Sequence, residues 1–324
     1  MREPNNVPAH LPQTPTREFS PFIGADPRDS PRMLDVTPSR RARVAVAQMT
    51  STSDVDANLR DIERMCRLAR DASCVALFLP EACAKISSAR SQSASAERLD
   101  GKTVRACERF ARENNLWLSL GGVGVALEAD DIEPEDVDAT GEVARRWNAH
   151  VMVTPKGEIH GDVYRKTHLF DRGETRESAY TKAGGGALTA HRTPFGVVGV
   201  SICYDVRFPD VYQALRYELG AEIMIVPSAF TRTTGEAHWE VLLRARAIET
   251  QSYVVAAAQT GKHSEDRESH GHSMIVDPWG RIIAEMGREV GIATAEISLD
   301  VVDEVRRTMP LERHRRAVGE KRIR

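Results

Sequence analysis

Residues 197–220 read VVGVSICYDVRFPDVYQALRYELG and predict a strand that leads through a cysteine into a helix. The apolar run Val197–Ile202 has the length and composition of a buried strand. The apolar residues that follow it recur at the spacing of one helix face: Phe208, Val211, Tyr212, Leu215 and Leu219. Pro209 suits the first turn of such a helix, and Gly220 suits the position just after its end. Cys203 is therefore expected at a junction between strand and helix.

The same alternation of strands and helices extends toward both termini. Upstream, RVAVAQM at 43–49 predicts a strand, and Asp54 predicts the N-cap of a following helix. Downstream, a helix is expected over His238–Thr250 and one further strand over Tyr253–Ala258. The segment GHSMIVDPWGRIIAEM predicts a hairpin that turns at 277–280. This pattern predicts an α/β protein whose sheets carry helices on their outer faces.

The composition excludes several classes of protein. The 324 residues are 41% apolar and 28% charged with a net charge of −3, which is typical of a globular chain. No run of about 18 uncharged apolar residues exists, so neither a spanning helix nor a membrane partner is expected. The near-neutral charge and the 6% of aromatic residues do not favour nucleic acid as a partner. The five cysteines include no CxxC pair, which favours reduced thiols over a disulfide framework or a structural metal.

Residues 1–40 differ from the rest of the chain. They hold 8 of the 16 prolines and show no helical or strand period. We expect a flexible arm over 1–40 and one folded domain over 41–324. The amino terminus lacks the apolar segment of a secretory signal, which favours the cytoplasm. A mitochondrial presequence remains an alternative, although acidic residues interrupt the arm.

Cys203 is a candidate nucleophile. A thiol at the start of a helix lies near unpaired backbone N–H groups and the positive end of the helix dipole. Both features are expected to lower the pKa of the thiol and favour the thiolate. A sharp turn from strand to helix also exposes a nucleophile beside N–H groups that can bind an oxyanion. The alternative is an inert cysteine buried in the core.

Glu81 and Lys166 also follow predicted strands. Glu81 ends the apolar run CVALFLP, and burial there is expected to raise its pKa toward the range of a general base. Lys166 ends GDVYRK, where an ammonium can stabilise an oxyanion. Taken alone, Glu81 could equally start a helix, and Lys166 could equally be solvated. Together with Cys203, however, the two residues provide the nucleophile, base and cation of an acyl-transfer site. His238 and His272 are alternative bases, although neither lies in a papain-like signature.

The motifs around these three residues resemble a known family. FLPE contains Glu81, YRKTHLF contains Lys166 and ICYDVRFP contains Cys203, in the order and spacing of the nitrilase superfamily of carbon–nitrogen hydrolases. The later segments PSAFTRTTGEAHWEVLLRARAIETQSYVVAAAQ and GHSMIVDPWG resemble the deaminated glutathione amidase branch more than the omega-amidase branch. The resemblance covers about 41–318.

The resemblance implies a fold and a set of roles. The fold is a four-layer α-β-β-α sandwich, usually paired into homodimers or higher homo-oligomers. Cys203 is implied as nucleophile, Glu81 as general base and Lys166 as the cation beside the oxyanion. A second glutamate of the family corresponds to Glu177, which would orient the lysine or the substrate. No metal and no organic cofactor are implied.

The expected reaction is hydrolysis of a linear primary amide through a thioester. Water is the second reactant, and the backbone N–H of Tyr204 joins Lys166 in stabilising the oxyanion. The branch suggests deaminated glutathione as the small-molecule substrate and a role in metabolite repair. An omega-amidase acting on short dicarboxylic monoamides such as α-ketoglutaramate is the enzymatic alternative. A scaffold or binding protein with the nitrilase fold is the alternative without catalysis.

Other side chains have less specific expectations. Arg207 is a candidate for a substrate carboxylate, with a structural ion pair to a glutamate as the equal alternative. Thr234 and Trp239 are candidates for the border of the pocket. The serine-rich stretch 87–96 and the acidic stretch 128–138 depart from the family and are candidates for the pocket rim, the latter as a solvated hairpin loop.

Two groups of arginines are expected to be structural or peripheral. One group shares a helix with a glutamate and is expected to form structural ion pairs: Arg244, Arg246 and Glu249. The other is expected to form a solvated or dimer-contacting tail: Arg306, Arg307, Arg313, Arg315 and Arg316.

Overall fold

The computed structural model describes residues 40–173 and 175–316, and the predicted arm over 1–40 lies outside them except for Arg40. The helices within the described residues are α1 Val55–Asp71, α2 Ala89–Ala94, α3 Lys102–Asn114, α4 Pro209–Tyr217, α5 Arg232–Thr250, α6 Leu299–Thr308 and α7 Leu311–His314. The strands are β1 Arg41–Met49, β2 Ala76–Phe78, β3 Trp117–Val125, β4 Arg146–Val153, β5 Tyr164–Arg165, β6 Asp171–Arg172, β7 Thr175–Arg176, β8 Thr181–Lys182, β9 Ala190–Thr193, β10 Gly196–Val200, β11 Ile223–Ile225, β12 Tyr253–Ala256, β13 Ala258–Lys262, β14 Glu268–His270, β15 Met274–Val276, β16 Ile282–Glu285 and β17 Gly291–Ser298.

The strands form two large mixed sheets. The first sheet has the order β14-β13-β1-β2-β3-β4-β5, with β17 also paired to β1 and β8 also paired to β4. The second sheet has the order β16-β15-β12-β11-β10-β9. At the centre of the first sheet, β1 runs parallel to β2 and antiparallel to β17. The strand that precedes Cys203, β10, lies inside the second sheet between β9 and β11.

The alternation of side chains along β1 shows how the layers stack. Val44 and Val46 point into one apolar cluster, which also contains the inner face of the second sheet. Ala45 and Ala47 point the other way, into a cluster built with the apolar faces of α1 and α3. The helices α4 and α5 cover the far side of the second sheet, with side chains such as Leu243 in the first cluster. The predicted four-layer α-β-β-α sandwich is confirmed.

Several local predictions are also confirmed. The Asp54 side chain accepts a hydrogen bond from the Ala57 N–H at 2.9 Å and caps α1. The hairpin β15–β16 turns at residues 277–280, where Gly280 has a φ of +84°. Gly280 takes this left-handed conformation because it carries no Cβ.

Two predicted elements have different bounds from those expected. The expected strand Tyr253–Ala258 is two strands, because β12 ends at Ala256 in the second sheet and β13 begins at Ala258 in the first. An apolar run shows burial but cannot show a change of sheet. Helix α5 begins at Arg232, six residues before the expected start, because the hydroxyl of Thr231 caps it by accepting from the Thr234 N–H.

The two atypical stretches each contain short helical turns. Residues 128–138 contain two short 3-10 turns, and Asp136 is fully buried with an ion pair to Lys182 at 2.7 Å. Most of the stretch is exposed, and its end forms one side of an antiparallel hairpin through the bridge between Val137 and Val143, so the expected solvated hairpin is found. Asp136 is the exception, because its buried carboxylate ties the loop to β8. Residues 87–96 contain α2. Among the described residues, no helix combines the length and the apolar character needed to span a membrane.

Candidate active site

The turn after β10 presents Cys203 in a strained conformation. Cys203 has a φ of +48°, which costs a non-glycine residue about 1–2 kcal/mol. It opens a 3-10 turn, Cys203–Arg207, and its own N–H donates to the Pro227 carbonyl at 2.9 Å. The Asp205 carboxylate accepts from the Ile202 N–H at 2.9 Å. These bonds hold the sharp bend that turns the sulfur toward the cleft.

Asp205 joins this turn to the strand that precedes Lys166. The carboxylate is fully buried and accepts from the Tyr164 hydroxyl at 2.8 Å and from the His168 N–H at 3.0 Å. The His168 ring also lies 2.8 Å from it through Nδ1. Lys166 lies between Tyr164 and His168 in the chain, so one carboxylate sets the relative position of Cys203 and Lys166.

Glu81 follows β2 and is buried, as expected. Its Oε2 accepts from the Ala229 N–H at 3.0 Å. Its Oε1 accepts from the Asn148 amide at 3.0 Å and from the Lys166 ammonium at 2.8 Å. The Cys203 thiol lies near enough to the Glu81 carboxylate for each group to shift the pKa of the other. Glu81 therefore connects the candidate nucleophile to the candidate cation.

Two glycines of β3 allow the chain to approach Glu81 this closely. A Cβ at Gly121 would lie 2.1 Å from the Leu79 carbonyl oxygen and 2.3 Å from the Pro227 Cβ. A Cβ at Gly122 would lie 2.7 Å from the Asn148 side-chain oxygen. The ladder between β3 and β4 shifts register at this point. The shift and the glycines let the ends of β2 and β11 meet beside the site.

Lys166 is enclosed by carboxylates. Only 2% of its side chain is exposed, and its Nζ lies 2.8 Å from Glu81 Oε1 and 2.8 Å from Glu177 Oε2. A third contact joins Nζ to Glu177 Oε1 at 3.0 Å. Glu177 is itself fixed by the Phe170 N–H at 2.8 Å. An ammonium has three protons, so all three are directed at carboxylate oxygens here.

The charges in this cluster set where its protons reside. Burial acts to lower the pKa of Lys166, but Glu177 and Glu81 outweigh it and hold the pKa well above its ordinary value. Burial acts to raise the pKa of Glu81, but the Lys166 charge and the hydrogen bonds to Glu81 leave that pKa below its ordinary value. Burial and the Glu81 charge raise the pKa of the Cys203 thiol well above its ordinary value.

These directions correct two expectations. The thiol pKa is raised rather than lowered, because Cys203 is buried and opens a short 3-10 turn, while α4 begins only at Pro209. The Glu81 pKa is lowered rather than raised, because the neighbouring Lys166 outweighs burial. The resting arrangement is therefore a neutral thiol beside a carboxylate and an ammonium.

The cluster lies in a cleft that encloses about 1120 Å³ of empty space, its open mouth included. All three candidate catalytic residues line it, as do four of the five expected supporting residues: Glu177, Tyr204, Arg207 and Thr234. The fifth, Trp239, does not line the cleft. Trp239 belongs to α5 and its indole is buried. The ring centroids of Trp239 and Phe230 lie 4.9 Å apart, and the indole N–H donates to the His272 carbonyl at 2.7 Å. Trp239 supports the wall from behind.

The sequence model of the family described as carbon-nitrogen hydrolase matches residues 43–307, which include the whole cluster. The chain belongs to the carbon-nitrogen hydrolase family.

Known proteins similar to this hydrolase agree with that assignment. A nitrilase and fragile histidine triad fusion protein of Drosophila melanogaster is 43% identical over 85% of this chain, and the match spans 57% of the fly protein. A deaminated glutathione amidase of Homo sapiens is 42% identical over 90% of this chain and 88% of the human protein. The crystal structure of the Caenorhabditis elegans NitFhit protein superposes with a TM-score of 0.78 at 42% identity, covering 86% of this chain and 66% of that one.

Sequence reasoning missed residues of the site that the hydrolase fold brings in from β4. Asn148 donates to Glu81 Oε1 at 3.0 Å and to Glu177 Oε1 at 3.1 Å, so it links the two carboxylates. Arg146 lines the cleft two residues earlier. The signal that could have found them is the run of three alternate polar residues, Arg146, Asn148 and His150, in the strand RWNAHVMV.

The alternative bases are engaged elsewhere. His238 Nδ1 lies 3.2 Å from the guanidinium of Arg207, and neither His238 nor His272 lines the cleft. His272 Nδ1 faces Glu285 at 3.3 Å. Among the described residues, no carboxylate pairs with Arg207, which instead lies 5.3 Å from the ring of Phe230.

The arginines expected to be structural are largely so. The predicted ion pair between Arg246 and Glu249 is confirmed, at 2.7 Å. Arg246 also donates to the Val206 carbonyl, which lies in the turn of Cys203. Arg244 pairs with Glu240 instead of Glu249. Arg306 is not a solvated tail residue, because its guanidinium is buried and donates to the Ala221 and Gln251 carbonyls.

Proposed function

We propose that this chain hydrolyses the amide of deaminated glutathione by way of a thioester on Cys203. The observation that carries the proposal is the buried cluster of Cys203, Glu81 and Lys166 at the base of an open cleft. Relatives that are 38–43% identical over most of the chain and are named deaminated glutathione amidase support the choice of substrate.

The chemistry of glutathione defines the bond more closely than the expected primary amide does. The γ-carboxyl of the glutamyl part is joined to cysteinylglycine through a secondary amide, and deamination changes only the amino group to a ketone. The leaving group is therefore the amine of cysteinylglycine, not ammonia. Ammonia is the leaving group only for short primary amides such as α-ketoglutaramate.

In the first half-reaction, Cys203 attacks the amide carbonyl while Glu81 takes the thiol proton. The bond from Sγ to the carbonyl carbon forms as the carbonyl π electrons move to oxygen. Glu81 then passes the proton to the leaving nitrogen, the carbon–nitrogen bond breaks and the free amine departs. The closeness of the thiol to the Glu81 carboxylate supports this path for the proton.

The oxyanion is stabilised by the backbone N–H of Tyr204 and by the charge of Lys166. One preorganised donor of this kind contributes roughly 3–4 kcal/mol. The protons of Lys166 point at carboxylates, so its direct hydrogen bond to the oxyanion requires one contact with Glu177 to open. Glu177 is thereby the residue that orients Lys166.

In the second half-reaction, water replaces the amine. Glu81 takes a proton from the water as its oxygen attacks the thioester carbonyl. The carbon–sulfur bond then breaks, the carboxylic acid is released, and the proton on Glu81 returns to the sulfur. One amide and one water give one acid and one amine, with no redox change. We assign to Arg207 the binding of the α-keto carboxylate of the acyl part, because it lines the cleft and its side chain contacts His238 but no carboxylate of the described residues.

The decisive experiment compares three substrates with the purified full chain. Deaminated glutathione, α-ketoglutaramate and succinamate are incubated separately, and acid and amine products are quantified by mass spectrometry. We expect the highest kcat/KM for deaminated glutathione. Preference for the short monoamides would assign the same cluster to an omega-amidase. No turnover of any of the three would overturn the proposal and favour a binding protein with the nitrilase fold.

We further propose that two copies of the chain pair through the outer face of α5. Three large apolar side chains there are exposed: Val241 at 68%, Ile248 at 47% and Trp279 of the adjoining turn at 52%. Gly280 packs so close to Ile248 that this helix and the turn form one surface. Apolar side chains grouped in this way are typical of an interface.

A further inference from the structure

Arg267 lines the cleft, and its side chain has no partner among the residues that the structure describes. Arg267 belongs to the turn between β13 and β14, and its carbonyl accepts from the His263 N–H at 2.8 Å. Its side chain is half-buried and lines the cleft. Within residues 40–173 and 175–316, the Arg267 guanidinium makes no hydrogen bond or ion pair, although the turn around it is well fixed.

A second arginine lines the same cleft. Arg146 is only 6% exposed, lines the same cleft and donates to the Trp147 carbonyl at 3.1 Å. Its guanidinium lies 5.9 Å from the Tyr180 ring and would contact a Cβ at Gly124 within about 3 Å. Burial lowers the pKa of Arg146, and the nearby charge of Arg267 lowers it further. Both guanidinium groups belong to residues that line one cleft, where a ligand carboxylate can pair with them.

The charge of the whole cleft agrees with an anionic ligand. Six basic side chains line it, against three acidic ones, in a protein whose net charge is −3. Of the basic ones, Lys166 is matched by Glu81 and Glu177, and Arg98 is matched by Glu128 at 2.9 Å. Arg207 and Arg267 have no carboxylate partner within the described chain. Lys85 and Arg146 donate to backbone carbonyls, those of Ser91 and Trp147. Among the described residues, Arg207 and Arg267 are therefore the two basic residues of the cleft with neither a carboxylate nor a carbonyl partner.

We propose that Arg267, backed by Arg146, binds a second substrate carboxylate, the one carried by the leaving group. This inference rests on the proposed function and goes beyond it, because it names which end of the substrate the pair recognises. In deaminated glutathione that group is the carboxylate of the terminal glycine. Short monoamides such as α-ketoglutaramate carry only the carboxylate of the acyl part.

The positions of the two arginines assign the two ends. Arg207 lies on the same 3-10 turn as Cys203, about 8 Å along its axis at roughly 2 Å per residue. That suits the acyl carboxylate, which is four bonds from the scissile carbon. Arg267 comes from a different turn, whose residues 264–266 are exposed to solvent. The longer leaving group must point toward solvent to depart, so its carboxylate reaches Arg267.

The test combines a side-chain change with a substrate change. Arg267→Gln is assayed on deaminated glutathione, on its analogue with a carboxamide at the terminal glycine, and on α-ketoglutaramate. We expect kcat/KM for deaminated glutathione to fall about 10- to 100-fold, the size of one lost charge-assisted hydrogen bond. The wild type should lose a similar factor on the carboxamide analogue, and Arg267→Gln should lose no more on it. Turnover of α-ketoglutaramate should stay within about twofold.

Two control variants separate local binding from general charge. Arg98→Gln removes the same charge from the same cleft, but from an arginine already paired with Glu128, so we expect a change of less than about threefold. Arg267→Lys keeps the charge and loses the planar fork, so we expect an intermediate loss on deaminated glutathione.

Several results would overturn the assignment. Equal losses on deaminated glutathione and α-ketoglutaramate would place Arg267 at the acyl end, and equal losses in Arg267→Gln and Arg98→Gln would reduce its effect to long-range charge. An unchanged Arg267→Gln would remove the subsite altogether. In each case the wild type still hydrolyses deaminated glutathione, so failure of this inference is distinct from failure of the proposed function, in which the wild type is inactive.

Discussion

Cys203 keeps its proton in the resting site, because burial and the Glu81 carboxylate raise the pKa of its thiol while the pKa of Glu81 is lowered. The proton moves only when a substrate carbonyl accepts the sulfur. In the proposed mechanism, the approach of the substrate therefore triggers the loss of the thiol proton. The proposed reaction therefore requires Glu81 to lie within hydrogen-bond distance of the sulfur.

Cys203→Ala is expected to abolish turnover and to leave the fold intact. The thiol is small, so the free energy of unfolding should change by no more than about 1 kcal/mol. Product formation and urea unfolding measure the two effects. Cys74→Ala is the matched control, because Cys74 is also buried but does not line the cleft, and it should stay active. Activity retained by Cys203→Ala would remove Cys203 from the proposed role.

Glu81→Gln is expected to lower kcat by about 10²- to 10⁴-fold and to make stability depend differently on pH. The folded-state pKa of Glu81 lies below its ordinary value of 4.5, so its ionised form contributes stability above pH 4.5 that is lost as the pH falls through the folded pKa. The variant should therefore be less stable than the wild type at pH 7, and the difference should shrink below pH 4.5. Urea unfolding at pH 7, 5 and 3.5 measures it.

The matched control for this pH effect is Glu265→Gln, since Glu265 is exposed. Its free energy of unfolding should follow that of the wild type at each pH. A difference between Glu81→Gln and the wild type that stays constant from pH 7 to 3.5 would contradict the assigned direction of the Glu81 pKa.

At the scale of elements, the site depends on strand ends that converge from both sheets. Glu81 follows β2 of the first sheet, whereas Cys203 follows β10 of the second. Asp205 ties the turn after β10 to the strand before Lys166. Gly121 lets the segments at Leu79 and Pro227 come into contact from opposite sides. The geometry of the cluster is thus set by how closely the two sheets approach.

Gly121→Ala is expected to separate these segments and misplace Glu81. Its Cβ would collide with a backbone oxygen, so we expect a loss of about 1–3 kcal/mol of stability. We also expect a fall in kcat of at least about tenfold, because small displacements of reacting groups are costly. Gly185→Ala is the control, since that Cβ would meet open space and no positive φ is required there. Equal kinetics for the two variants would show that the close approach is not needed.

At the scale of the whole molecule, the outer layers of the sandwich have different surfaces. The helices α1 and α3 cover one sheet, and α4 and α5 cover the other. The α5 side carries the exposed Val241, Ile248 and Trp279. If two copies pair through that face, the cleft mouth stays accessible only when it lies beside the interface and not beneath it. His238 of α5 contacts Arg207 of the cleft, which places the two regions side by side.

Val241→Glu combined with Ile248→Glu is expected to give monomers. Each copy would bring two glutamates into the proposed interface, where they would face the same glutamates of the other copy. Like charges that face each other destabilise association. Light scattering coupled to size-exclusion chromatography measures the mass of wild type and variant. Val301→Glu, at a valine of α6 that is 37% exposed, is the control and should leave the mass unchanged. A wild type that is monomeric at high concentration would contradict the proposed pairing.

The sequence alone determined the residues on which the chemistry is proposed to rest. Glu81, Lys166 and Cys203 each stand at the end of a run with a clear local pattern, and local patterns are readable because a strand or a helix start depends on a few neighbouring residues. The layered α/β fold follows from the same periodicity. For this reason the Asp54 cap and the hairpin at 277–280 are found in the structure. The four-layer sandwich, also found, was implied by the family resemblance and not by the periodicity.

Only the tertiary structure decided which groups surround those three residues and where their protons reside. Asn148 is 67 residues from Glu81, and Ala229 is 148 residues from it, so neither contact has a local signal. The pKa of Cys203 depends on burial by both sheets. That burial raises the pKa, whereas a position at a helix start predicted that it would be lowered. The unmatched Arg267 was likewise invisible, because a charge in a sequence looks solvated until the fold encloses it. Local propensity sets the elements, whereas desolvation and long-range packing set the electrostatics of the site.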